Sequence, residues 1–75
     1  MDRLKEFISS KKIKINYIDN KLNIVNFKEI ALLTDKKIIL LSESKTIVVN
    51  GNELTLLKLL DHEVLIGGFI KSIEL

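Results

Sequence analysis

Short aliphatic runs recur about every eight residues along this chain, near Leu22, Ile30, Ile38, Ile47 and Leu54, and polar or turn-forming residues separate them. The longest unbroken runs hold four residues, such as Ile38-Ile39-Leu40-Leu41. Runs this short suit strands rather than helices. The pattern is plainest near the start. There Ile13, Ile15 and Tyr17 alternate with Lys12, Lys14 and Asn16, and Leu22 and Ile24 alternate with Lys21 and Asn23. Period two places one set on a buried face and the other in water. Further strands are expected over 30–33, 37–41, 46–49, 54–60, 64–66 and 69–75, with turns at Asp19-Asn20, 34–36, 42–44, Asn50-Gly51, Asp61-His62 and Gly67-Gly68.

The expected fold class is therefore all-β, a single domain over 1–75. We expect a small antiparallel meander or sandwich of about six to eight short strands. The even spacing also suits a short β-solenoid, but Gly or Asn does not stand at each corner, which favours the meander. One segment breaks the strand pattern. Leu4, Phe7 and Ile8 fall at helical spacing behind Asp2, so residues 1–11 read as a short helical or frayed leader.

Two glycine sites carry the sharpest local expectations. Asn50-Gly51 suits a type I′ hairpin turn, which needs positive φ at both central residues. Gly67-Gly68 suits a bulge or tight bend before the last strand. Between and before them, residues 38–41 and 47–49 are apolar on both faces. Ile38, Leu40, Ile47 and Val49 are the expected core. Ile39, Leu41 and Val48 then point the other way and are the candidate interface. With 75 residues, no cysteine and one histidine, disulfides and thiolate or His-rich metal sites are excluded as stabilisers. Packing, or burial against another chain, is left to cover the second face.

Catalytic chemistry finds little footing. His62 lies between Asp61 and Glu63, but adjacent residues on a strand or turn point apart, and no second His or Cys completes a ligand set. It reads as a solvated turn histidine. Ser9, Ser10, Ser42, Ser44 and Ser72 lack a nucleophile-elbow context. Gly67-Gly68 lacks the Lys-Ser/Thr of a phosphate loop. The expectation is no enzyme activity, no cofactor and no metal. The 12 basic and 10 acidic residues leave a net charge of +2, with Arg3 the only arginine. Lys11, Lys12 and Lys14 form a small basic cluster, below the about 4–8 residues typical of lipid-binding clusters. The start of the chain is charged and no run approaches a membrane span, so a cytoplasmic protein is expected.

The order of residues from Lys21 onward resembles the YabP/YqfC family of sporulation proteins. Leu22-Asn23-Ile24-Val25-Asn26-Phe27-Lys28-Glu29-Ile30 and Lys37-Ile38-Ile39-Leu40 are similar to its first half. Residues 47–56 resemble its "I-x-I-x-G-x-x-L-x-I" segment, and 63–75 its closing "E-x-x-I-x-G-x-I-x-S-I-x-x" segment. Asp19-Asn20 and Glu29 stand where the family often has glycine. The resemblance implies a protein of the mother cell acting in spore coat or cortex assembly. It also implies association with a sporulation membrane protein, and it carries no catalytic residues. The function expected is a non-catalytic protein-interaction or assembly module, self-associating or held near a membrane through a partner. The alternative is a small β-barrel that binds nucleic acid. The few aromatics, Phe7, Tyr17, Phe27 and Phe69, are scattered rather than arranged for base stacking, which disfavours that alternative.

Overall fold

A computed structural model describes residues 12–75. The expected leader helix lies outside them. The described residues form six strands: β1 (Lys14–Ile18), β2 (Lys21–Val25), β3 (Glu29–Leu33), β4 (Lys37–Leu41), β5 (Thr46–Leu60) and β6 (Glu63–Glu74). All pair antiparallel in one sheet of order β1-β2-β6-β5-β4-β3. The fold is thus all-β, as expected, and the antiparallel ladders exclude the solenoid.

The strand order forces the sheet to curl. β2 and β3 are joined through residues 26–28 alone, yet four strand spacings separate them in the sheet. In a flat sheet that is about 19 Å. The four steps from Val25 to Glu29 reach at most about 14 Å. The sheet therefore folds over until the end of β2 meets the start of β3. Backbone bonds fix that meeting: Asn26 N donates to His62 O at 2.7 Å, and Lys28 N to Leu41 O at 2.7 Å.

Bulges in the long β5–β6 hairpin do the folding. Register shifts lie at Asn50/Gly51, Asn52/Thr55 and Leu56/Lys58, and each extra residue bends and twists the strand that carries it. They also decide which side chains face inward. Along β5, Ile47, Val49 and Gly51 point in, and strict alternation would bring Glu53 in next. The shift instead puts Leu54 inside and leaves Glu53 exposed at φ 54°. The shift at Leu57 likewise turns Lys58 outward and Leu59 onto the side of its buried partner Val64.

Asn50-Gly51 is accordingly not a hairpin turn. Neither residue has positive φ, and both lie inside β5. Gly51 is required for a different reason: a Cβ there would overlap the Phe69 carbonyl oxygen across the ladder. The backbone conformation that favours glycine occurs at Gly68, φ 106°, where the hairpin bends and a Cβ would overlap the Glu53 carbonyl. Gly67-Gly68 thus form a bend before the last stretch of β6, as the sequence suggests. The Asp19-Asn20 turn has positive φ at both residues, 54° and 62°, the type I′ geometry that a two-residue hairpin loop needs.

The concave side of the curled sheet is the core. Leu22 and Ile24 of β2, Val64 and Ile66 of β6, Ile38 and Leu40 of β4, and Ile47 and Val49 of β5 are all fully buried, with Phe27 and Leu54 beside them. Ile13, Ile15, Ile30, Leu56, Ile70 and Ile73 pack around this cluster. Each buried aliphatic contributes on the order of 1.5–3 kcal/mol. Strand alternation supplies the eight fully buried members; Leu54 enters through the register shift in β5 and Phe27 from the link between β2 and β3.

Candidate interaction surface

The convex side differs sharply between the two ends of the sheet. On β1, β2 and the first part of β6, cross-strand registry places Asn16, Asn23 and Leu65 in one row and Lys14, Val25 and Glu63 in the next. This surface is largely polar and internally bonded: Asn23 Nδ2 donates to Glu63 Oε2 at 3.0 Å and to Val64 O at 3.3 Å. An antiparallel sheet with one wet face is built this way.

The convex side of β3, β4 and β5 breaks the rule. Its central row is Leu32, Ile39 and Val48, directly opposite one another across the ladders, with Leu41 two residues along from Ile39. Leu32 is 40% exposed, and Ile39, Leu41 and Val48 are half-buried. Their sequence neighbours Ile38, Leu40, Ile47 and Val49 are the buried set, so these four point away from the core. The predicted interface residues Ile39, Leu41 and Val48 thus lie together on one face. Leu32 joins them because the register shift between Ile30 and Leu32 moves β3 by one residue. Charge borders the patch: Glu29 stands level with Leu41, Lys37 with Asn50, and Glu74 with Val48.

A second apolar region is a gap in the curled sheet. The C-terminal part of β5 pairs with β6 on one side only, and β3 with β4 on one side only. Ile30 of β3 and Leu59 and Leu60 of β5 line a shared open cavity of about 830 Å³ with Val25, Phe27 and the turn residues 61–63. Leu59 and Leu60 are each about half exposed there. Both ends of the gap are fastened. The His62 ring Nδ1 lies 3.0 Å from Phe27 O beside the Asn26–His62 bond. At the far end, Gly51 N donates to Lys36 O at 3.0 Å and Leu54 N to Asp35 O at 2.8 Å.

The polar side chains weighed for chemistry are engaged in turns or well apart. His62 sits on the β5–β6 turn, exposed but tied to the β2–β3 link. Ser42 Oγ accepts from Lys45 N and lies 3.1 Å from Lys45 O, closing the β4–β5 turn, and Thr34 does the same with Lys37 in the preceding turn. Ser72 Oγ accepts from Asn50 Nδ2 at 3.2 Å. Among the described residues, no group of three His, Cys, Asp or Glu side chains is placed to hold a metal ion, and no helix is long and apolar enough to cross a membrane. No protein-family model, curated protein or solved structure matches the chain.

Proposed function

We propose that this chain is a non-catalytic assembly module. In this reading it works by burying the convex face of β3, β4 and β5 against another protein. One observation carries the reading: registry gathers Leu32, Ile39 and Val48 into an unbroken aliphatic row, where the comparable row on the other half of the sheet is Asn16, Asn23 and Leu65. Surface leucines scattered singly need no explanation, but an aligned apolar row on a sheet face is the pattern of a covered surface. A small chain also has few ways to cover a second face by itself.

The cellular setting follows the YabP/YqfC resemblance. We place the module in spore coat or cortex formation, in the mother cell, in contact with itself or with a sporulation membrane protein. The segments that carry the resemblance fall on β2, the start of β3, β4, β5 and β6, which supports reading them as parts of one folded unit. A photo-crosslinking side chain at Val48, with a control at Asn16, tests the reading in sporulating cells. Val48 should crosslink to a protein of the spore-forming machinery and Asn16 should not. Equal crosslinking from both faces, or none from Val48, contradicts it.

A further inference from the structure

Resting on that reading, we infer that the occupant of this face is a second copy of the chain, stacked face to face about a two-fold axis that runs across the strands at the level of Ile39. Leu32, Ile39 and Val48 lie in one line across β3, β4 and β5, so this rotation lays the row onto its own image. The charges favour the same operation. Glu29 stands at the Leu41 end of the face, and Lys37 stands at the other end of β4. Turning one copy over brings Lys37 of each to the end that carries Glu29 of the other, giving two symmetry-related ion pairs at the rim. An isologous interface requires this kind of self-complementarity.

The operation also makes an unfavourable prediction. Glu74, level with Val48 at the edge of the sheet, meets its own image. Rim charges of this kind tune association by modest amounts. Leu32, Ile39, Leu41 and Val48 are far fewer than the about 20–30 residues a side of a standard interface. The dimer is therefore weak, and it forms at high local concentration, as in an assembling layer.

Sedimentation velocity of the full chain, run up to submillimolar concentration, tests this directly. A concentration-dependent dimer is expected, and Val48→Lys should abolish it while circular dichroism and melting show a folded chain. Lys37→Glu and Glu29→Lys should each weaken the dimer about tenfold, since two exposed pairs are lost at once. The double variant should restore it, and Glu74→Gln should tighten it. A monomer throughout, a dimer that survives Val48→Lys, or charge reversals without effect or without mutual rescue overturns the inference. A monomer that still crosslinks from Val48 to a different protein in cells overturns self-association alone and leaves the proposed function standing.

Discussion

The two halves of the convex surface share one sheet, one solvent and nearly the same backbone, yet on one Lys14, Asn16, Lys21, Asn23 and Glu63 separate Ile18, Val25 and Leu65, while on the other Leu32, Ile39, Leu41 and Val48 adjoin, with Glu29 and Lys37 at the margin. The concave sides of both halves are uniformly aliphatic, because both line the same core. The difference therefore does not come from packing the core among the described residues. Folding fixes the inward set. It leaves the outward set free among the described residues, and the apolar part of that set is what the proposed contact rests on. The polar half shows what this sheet looks like without an apolar patch: Asn23 bonds to Glu63 and Val64 and meets water on its own terms.

Substitutions probe the difference between the two faces with effects of decreasing size. The strongest removes the bend that separates the halves. Gly51→Val forces a side chain into the Phe69 backbone, and the expected result is a chain with no cooperative thermal transition. Next is the inward set. Leu40→Ala empties a fully buried position and should cost about 2–5 kcal/mol in urea unfolding. Its neighbour Ile39 points outward, so Ile39→Thr should change monomer stability by only about 0.5 kcal/mol, measured at a concentration below dimerisation. Equal losses at Leu40 and Ile39 would erase the inward and outward distinction. On the polar half, Asn23→Ala removes the bonds to Glu63 and Val64 and should cost about 1 kcal/mol. The smallest effect belongs to the first turn. Asn20→Gly keeps the positive φ with less strain and should shift stability by a few tenths of a kcal/mol, whereas Asn20→Val should destabilise clearly.

Much of this architecture is legible in the residues. Alternation alone separates Ile38, Leu40, Ile47 and Val49 from Ile39, Leu41 and Val48, because those stretches of β4 and β5 run without a bulge and parity holds from end to end. The Asp19-Asn20 turn is local chemistry and needs no tertiary context. Asn50-Gly51 misleads because the same dipeptide answers two demands. A turn needs positive φ at both residues. A crowded ladder needs only a missing Cβ at the second. The need here is the close approach of the Phe69 backbone, which no local pattern announces. Leu32 is missed for a related reason. Parity counted along β3 alone groups it with Ile30, and only the extra residue opposite β4 turns it outward. The exposed Leu59 and Leu60 read as an ordinary strand because sequence spacing does not say on how many sides a strand is paired.

If two copies of the chain meet through the convex face of β3, β4 and β5 and not through that of β1 and β2, the two faces must respond differently to concentration. Hydroxyl-radical footprinting of the full chain, read by mass spectrometry at low and at submillimolar concentration, measures both faces in one experiment. Labelling of Leu32, Ile39 and Val48 should fall as concentration rises, while that of Ile18, on the polar half, stays constant. Labelling that is unchanged at all four residues, or that falls equally on both faces, contradicts it.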